Sequence, residues 1–496
     1  NLSSGLEEIN LICDKLHLFF QLFAVSGVVM YMIGTGANIA FPAVLLEQLR
    51  KPDSAIHLTE EEESWIASIL GLALIVSILS SPYSLQRFGR RLHNQLSTLP
   101  SLAGWGLMAT AKNSELLLAS RFLQGFGMGL QAAASPVSIA EYSAPKHRGA
   151  FLATIAFSFA TGMLLAHILG LLLYWRTASL ACGSVYIISL VLLSMSPDTP
   201  PYLASRGKFN QCRKAFRWLR GHDLEAEREL GILINSQKNK VQTLTPNNTS
   251  KFKRYCDIVK KPEFYKPTVI MVFMFLLFQL SGMTVIPSYT VAIMEEVTDG
   301  AMESYWSMLV VDIVRFVTAV LACVVVNRYN RRSVLFFGII VSVISLLLAS
   351  LLLFIRSFGY LPANYHWIPV IPTLTYIFGK TLGILPIPWA VAGEIFPLAY
   401  RSIGSGISGT ILSLMFFVVV KTAPSLMKTF QLSGTFCFYG VCVAICGVFL
   451  YFLMPETKGK TLHEIECHFR GEDDILSKEN EGEKDNMLEM QIVEGG

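Results

Sequence analysis

The sequence predicts an all-α polytopic membrane protein with twelve transmembrane helices in two six-helix halves. Three observations predict it. The chain of 496 residues is 52% hydrophobic and only 15% charged, against about 25% charged residues in a soluble domain. Apolar runs of membrane-spanning length recur along most of it. Three short motifs from its first part return, in the same order, in its second.

A membrane helix needs about 20 predominantly apolar residues. About twelve runs meet that need, at roughly 17–39, 65–84, 93–111, 115–138, 150–173, 177–196, 266–292, 305–326, 333–355, 367–392, 403–427 and 435–454. The third is the weakest, because His93, Asn94 and Gln95 dilute its start. The chain opens on Asn1 rather than a methionine, with no charged-then-apolar signal peptide, so the first run is expected to direct insertion. Orientation follows from loop charge. Residues 199–265 carry fourteen Lys/Arg against six Asp/Glu, and 86–91 and 327–332 are short basic turns. The 47–63 loop is acidic, with Glu60, Glu61, Glu62 and Glu63 in a row. The positive-inside rule then predicts both termini and the long middle loop in the cytosol, where the sequons at Asn247 and Asn248 would stay inert.

The resulting organisation is a cytosolic N-terminal segment (1–16), a first half (17–198), a cytosolic linker (199–265), a second half (266–454) and a cytosolic tail (455–496). Within the linker, Phe209, Cys212, Phe216 and Leu219 fall at helical spacing among Arg213, Lys214, Arg217 and Arg220, which predicts short amphipathic helices. From about 471 the tail is polar and acidic and reads as disordered.

The repeats argue for two homologous halves. RFGRR (87–91) returns as RYNRR (328–332), AEYSAPKHRGA (140–150) as GEIFPLAYRSIG (393–404), and PDTPPYL (197–203) as PETKGKT (455–461). Parallel halves with a midplane site between them are the architecture of a rocking secondary transporter. The stretch 379–401 fits that site: Gly383, Pro386 and Pro388 interrupt an apolar helix, Trp389 follows, and Glu394 and Arg401 close it. Prolines at membrane depth are tolerated where neighbouring helices or a cavity satisfy the freed carbonyls.

Other function classes find little support. The net charge of +4 does not suggest nucleic acid. The nine cysteines are scattered without a CxxC pair, which favours isolated thiols over disulfides or metal. No cofactor, metal site or enzyme is expected, since no nucleophile–base set or nucleotide loop stands outside the spans. GFGMG (125–129) lies inside an apolar run, where close helix packing explains it.

The motifs FGRR (88–91), RFLQGFGMG (121–129), AEYSAPKHRGA (140–150), PDTPPYL (197–203), QLSG (279–282), PIPW (386–389), GEIFPLAYR (393–401) and PETKGKTLHEIE (455–466) closely resemble the sugar-porter branch of the major facilitator superfamily. FFVVVKTAP (416–424) and the GEIFP spelling look most like facilitated trehalose transporters. The resemblance implies alternating access by facilitative uniport, a small sugar as substrate, the lipid bilayer as surroundings and the plasma membrane as location. It implies substrate contacts from Gln279, Thr284 and Trp389, a hinge at Gly383, Pro386 and Pro388, and ion pairs closing the cytosolic side among Arg90, Arg91, Glu141, Arg148, Arg331, Arg332, Glu394 and Arg401.

The chain also departs from the family. Phe278, Ala156 and Leu412 stand where polar sugar ligands are usual, and Gln86 and Asn327 replace the acids that begin the basic turns, so a weaker lock is expected. Arg315 replaces an amide, with Asp312 one turn before it, and Lys380 replaces an aromatic. A lone charge at the bilayer centre costs about 2.5–3.5 kcal/mol on insertion scales. Either Asp312 and Arg315 pair at i and i+3, or Arg315 and Lys380 meet substrate, or they snorkel to an interface. His167 reads as a packing hydrogen bonder rather than a proton relay. Residues 31–41 carry no acid, which favours uniport. Two rivals remain open: a transporter of a charged solute, and a non-transporting sensor or degenerate paralogue.

Overall fold

The computed structural model describes residues 2–54, 56–243, 261–300, 303–360, 367–396, 401–458 and 462–470; for residues 2–14, 133, 224–225, 239–243, 304, 393, 401–402 and 462–463 it describes the backbone alone. Asn247, Asn248 and the tail from 471 lie outside the described residues. The first half comprises α1 (Leu2–Leu49), α2 (Glu60–Phe88), α3 (Arg90–Thr110), α4 (Ser114–Tyr142), α5 (Pro145–Leu172) and α6 (Trp175–Met195). The linker holds α7 (Pro200–Ser205), α8 (Phe209–Arg220) and α9 (Leu224–Thr243). The second half follows with α10 (Pro262–Leu280), α11 (Val285–Thr298), α12 (Ser304–Arg328), α13 (Arg331–Ser357), α14 (Val370–Gly379), a π-helical turn (Lys380–Ile384), α15 (Pro386–Glu394), α16 (Arg401–Leu453) and α17 (Leu462–Arg470).

Nine stretches among the described residues are long and apolar enough to cross a bilayer. One of them, within α16, is two spans meeting at Gln431, whose backbone turns left-handed (φ 56°). α3 and α4 complete the twelve. Their hydropathy is low because they carry polar side chains, several of which are buried and hydrogen-bonded inside the half. His93 contacts Ser84 Oγ (2.9 Å) and the Leu130 carbonyl (3.0 Å), Asn94 donates to Ser138 (3.1 Å), and Ser97 donates to Gln131 (2.7 Å). Along α4, a Cβ on Gly125 would meet the Leu70 carbonyl at 2.7 Å, so this glycine lets α2 and α4 touch along their backbones.

Helix boundaries differ from the apolar runs at both chain ends. α1 already begins at Leu2, and a short helix, α17, packs Ile465, Cys467 and Phe469 inward, with Arg470 bridging to Glu263 of α10 at 2.7 Å. In the linker, the Cys212–Phe216–Leu219 stripe of α8 is buried, as its spacing predicts. The same helix docks on α1, where Gln21 donates to the Leu219 carbonyl (3.1 Å) and Phe20 meets Trp218 at 4.8 Å. Seven cysteines among the described residues are free thiols.

The halves join at the end that bears the acidic 47–63 loop. Leu46, Ala67, Leu70 and Leu74 share an apolar cluster with Tyr289, Ile293 and Val420 of the second half. Lys421 donates to Ser64 (2.7 Å) and lies over the Trp65 ring (4.3 Å), and Lys428 pairs with Glu60 (2.7 Å). At the opposite, basic end, each half keeps its own core: Ala24, Val28, Ile139 and Leu193 in one, Ile270, Val334, Ile395 and Val443 in the other.

Two spans are broken where they line the seam. The tenth passes from α14 into a π turn closed by Leu385 N–H to the Lys380 carbonyl (2.9 Å), and α15 restarts at Pro386, whose missing N–H costs nothing at a first helical position. Gly383 sits against α13, where a Cβ would meet the Val334 carbonyl at 2.5 Å. The seventh span, a single run in the sequence, breaks between α10 and α11 at Gly282, which has φ 67°. An alanine there carries a left-handed penalty of about 1–2 kcal/mol, and its Cβ would lie 2.7 Å from Tyr376 Oη. Gly282→Ala is therefore expected to lower the melting temperature of the detergent-solubilised protein, with at least that loss of stability.

Candidate functional site

The break in the seventh span builds a polar corner on an otherwise apolar wall. Gln279 ends α10 and Thr284 precedes α11; both are buried, and Thr284 Oγ1 donates to Gln279 Oε1 at 2.8 Å. Gln279 Nε2 donates to the Leu412 carbonyl at 3.4 Å. The half-buried Trp389 of α15 stands edge-on to Phe275 (5.6 Å) and Phe278 (6.2 Å). Phe278, Met283 and Leu385 pack with Ala156, Leu412 and Trp389. Ala156 lies in the first half and the others in the second, so the three positions that depart from the family pattern meet in one apolar patch around the indole. A hydroxyl-rich ligand could stack its ring on such a wall and reach Gln279 and Thr284 with its polar edge.

Beside this corner lies a buried ionic cluster. Arg315 Nη1 donates to Asp312 Oδ1 at 2.5 Å, the i, i+3 pairing anticipated for these two residues. Arg315 Nη2 has no hydrogen-bond partner among the described residues. The second oxygen of Asp312 is held by Nδ1 of His167, which reaches it from α5 in the other half. This contact was not legible in the sequence, since nothing local links positions 167 and 312. Lys380 is also buried, and it is committed to the seventh-span break: Nζ donates to the Gly282 carbonyl (3.1 Å) and contacts Tyr376 Oη (3.3 Å), while Tyr376 donates to the Ser281 carbonyl. The ammonium thus clamps the tenth span to the turn that carries Gln279 and Thr284.

At the basic end the repeated motifs make two matching networks. Arg90 pairs with Glu141 (2.7 Å), whose other oxygen accepts from Thr199 (2.5 Å); Arg331 pairs with Glu394 (2.9 Å), whose other oxygen accepts from Thr457 (2.8 Å). Asp198 accepts from the Arg91 N–H (3.2 Å), and Glu456 from the Arg331 and Arg332 N–H groups (3.1 and 3.0 Å). Carboxylates from the PDTP and PET segments therefore cap α3 and α13, where Gln86 and Asn327 left the basic turns without acids. Carboxylates suit a helix N-terminus because its first N–H groups lack intrahelical partners.

Among the described residues, Arg91, Arg332 and Arg148 make none of the ion pairs implied for them. Arg91 donates to the Ser194 carbonyl and Arg332 to that of Tyr451 (2.7 Å), both near helix C-termini whose free carbonyls attract cations. Arg148 is exposed. The side chain of Arg401 lies outside the described residues. Every pair just named stays within one half.

Arg121, the first residue of RFLQGFGMG, is one of the largest wholly buried side chains. It donates to the Asn38 carbonyl (2.8 Å), to Gln124 (2.9 Å) and to the Ile66 carbonyl (3.2 Å), tying α4 to α1 and α2. The rule that exposes Arg315, a charge within an apolar run, would have found it.

Two pseudo-symmetric six-helix halves meeting over a buried seam define a two-half membrane transporter of the major facilitator fold. Solved structures share that fold. The proton:xylose symporter XylE bound to 6-bromo-6-deoxy-D-glucose superposes with TM-score 0.73 at 20% identity, over 92% of this chain and 99% of that one. The inward open conformation of XylE from E. coli gives 0.71 at 19%, over 91% and 99%. The chain belongs to the Sugar (and other) transporter family, which it matches over residues 21–469. It is similar to the facilitated trehalose transporter Tret1 of Apis mellifera ligustica, 29% identical over 91% of this chain and 88% of that one. The Tret1 of Polypedilum vanderplanki is 27% identical over 92% and 90%. Against the Tret1 of Drosophila mojavensis, 27% identical, the chain spans 52% of the relative's length.

Removing one partner of a buried ion pair typically costs about 3–5 kcal/mol, because the other charge is left uncompensated. Asp312→Asn is expected to lose stability in that range. Arg315→Gln in the same chain should recover much of it, a coupling that a double-mutant cycle in detergent melting reads directly.

Proposed function

We propose that this sugar transporter is a facilitative uniporter of a neutral sugar, trehalose foremost. The observation that carries the reading is the seventh-span corner, where Gln279 and Thr284 present an amide and a hydroxyl beside the Trp389 face. The similarity to Tret1 proteins supports trehalose, a disaccharide whose second ring would extend over the apolar patch of Phe278, Ala156 and Leu412. Arg121 lies among carbonyls and amides and pairs with no carboxylate among the described residues, and α1 carries no acid over 31–41; both favour movement down a gradient.

The basic end, with its Arg90 and Arg331 networks and the positively charged linker, faces the cytosol in this reading, and the chain resides in the plasma membrane. The structure then represents the state closed towards the outside. Alternation consists of parting the Leu46–Tyr289 cluster and the α2–α16 contacts while the basic ends approach. Sugar shifts the two populations only by its differential contact with each. Pro386, Pro388 and Gly383 supply the hinge beside the indole.

A second reading is favoured by one observation. Arg315 Nη2 is buried without a partner, so an anionic or charged solute would find a waiting donor. Uptake assays with neutral sugars and their charged derivatives separate the two, and Arg315→Gln would abolish uptake only of the charged class. For the neutral reading, each lost hydrogen bond or aromatic contact is worth about 0.5–1.5 kcal/mol. Gln279→Ala with Trp389→Ala is therefore expected to cut trehalose uptake into vesicles by roughly tenfold to a hundredfold. Unchanged uptake would remove these residues from the site, and absence of saturable flux for any sugar would favour a sensor.

A further inference from the structure

We propose that the basic end of the second span carries a headgroup site for an acidic phospholipid of the cytosolic leaflet, in which Arg87 and Arg206 receive the lipid phosphate beside the exposed rings of Tyr83 and Phe88. The observation that carries it is a pair of cations brought together by neutral partners. Arg87, in the last turn of α2, donates to Tyr83 Oη (2.7 Å). Arg206, just beyond α7, donates through Nη2 to the Arg87 carbonyl (2.8 Å) and through Nε to Tyr202 Oη (3.4 Å). Hydroxyls and carbonyls satisfy these donors without cancelling their charge. Among the described residues neither arginine pairs with a carboxylate, and neither does the exposed Lys208 two positions on. The nearby acids are committed elsewhere. Asp198, the only carboxylate between 197 and 208, accepts from the Arg91 N–H, and Glu141 is shared by Arg90 and Thr199.

Two sequence motifs build the pair. Gly89 of RFGRR holds φ 87°, and a Cβ there would meet the Tyr202 ring at 2.4 Å. That glycine lets Tyr202, from PDTPPYL, seat on the turn between α2 and α3, where its Oη also donates to the Arg87 carbonyl (3.4 Å). Arg206 follows Tyr202 by four residues, one helical turn, and so arrives at the same carbonyl. The depth follows from α2 itself. From Glu60 to Arg87 it rises about 40 Å at 1.5 Å per residue, which matches a bilayer with its headgroup layers, about 40–45 Å. Glu60 and Arg87 therefore stand in opposite headgroup layers. Tyr83 and Phe88, 64% and 39% exposed, flank Arg87 at the level where amphipathic rings settle.

The chemistry selects the occupant. Phosphate oxygens accept from guanidinium N–H groups in the bidentate manner that favours arginine. Two fixed cations with Lys208 nearby call for more negative charge than a zwitterionic headgroup supplies, since its own ammonium cancels its phosphate. The cytosolic leaflet is the one rich in acidic lipid, and basic segments next to a span are drawn to it. A soluble phosphate offers the same oxygens but nothing to lie against Tyr83 and Phe88. The inference takes from the proposed function only which leaflet supplies the lipid.

Native mass spectrometry of the full chain in detergent tests this without reference to orientation, with phosphatidylserine, phosphatidylcholine and inorganic phosphate as probes. Phosphatidylserine should bind at least tenfold more tightly than phosphatidylcholine. Arg87→Gln with Arg206→Gln should cut phosphatidylserine affinity by roughly tenfold to thirtyfold, since each basic residue beside anionic lipid is worth about fivefold, and should leave phosphatidylcholine binding unchanged. Arg87→Lys with Arg206→Lys, which keeps both charges, should retain most of the affinity. Lys146→Gln, which removes an exposed cation elsewhere at the basic end, should change nothing. If the double glutamine variant does not fold, Arg87→Gln alone takes its place, with an expected loss of about fivefold. Equal affinity for the two lipids would overturn the site, and so would a loss in Lys146→Gln as large as that in the arginine variants, which would reduce it to diffuse attraction. Displacement of phosphatidylserine by millimolar inorganic phosphate would overturn the lipid as its occupant. Because no sugar is present, each of these results leaves the reading of the Gln279–Trp389 corner untouched.

Discussion

A charge buried among apolar spans must find its counter-charge or its hydrogen-bond partners inside the protein, and this constraint organises the seam between the halves. Asp312 answers it twice, with Arg315 one turn along its own helix and with His167 across the seam. Arg121 answers with carbonyls and an amide, and Lys380 with the carbonyl exposed where the seventh span breaks. Each solution ties together helices that apolar packing alone would leave free to slide, because dispersion between spans has little directional preference. The polar corner at Gln279 and Thr284 is held in place by one of these ties, through Lys380 and the Gly282 turn.

The two ends of the molecule treat charge differently. At the basic end, Arg90–Glu141 and Arg331–Glu394 brace each half internally, with Thr199 and Thr457 completing equivalent networks. At the acidic end, Lys421 and Lys428 reach across the halves, above an apolar cluster drawn from both. The halves can thus behave as rigid bodies at one end while being joined at the other, which is what a rocking motion about a central seam requires.

Much of this was legible in the chain. Apolar runs located the spans, because the bilayer sets their length and forbids unsatisfied backbone. Repeated motifs announced the halves, and the i, i+3 spacing of Asp312 and Arg315 offered their pairing as one of three readings, the one the structure shows. The misses share a cause. α3 and α4 were located as runs, but the partners of their polar side chains lie on neighbours distant in sequence, as with Asn94 and Ser138. The break at Gly282 was hidden because glycine is permissive in either conformation, so the residue alone does not say which it adopts. The capping roles of Asp198 and Glu456 required knowing that the end of the sixth span of each half returns to the start of its third.

The sequence by itself determined the fold class, the twofold internal repeat and the residue types available to a sugar, since hydropathy, motif order and side-chain chemistry are local properties. Only the tertiary structure decided that Ala156, Phe278 and Leu412 converge on Trp389, that Lys380 holds a backbone turn, and that His167 reaches Asp312. Those outcomes depend on the approach of segments separated along the chain, by 98 residues for Lys380 and Gly282 and by 145 for His167 and Asp312, where the partner of a buried group is set by packing and not by any local spacing.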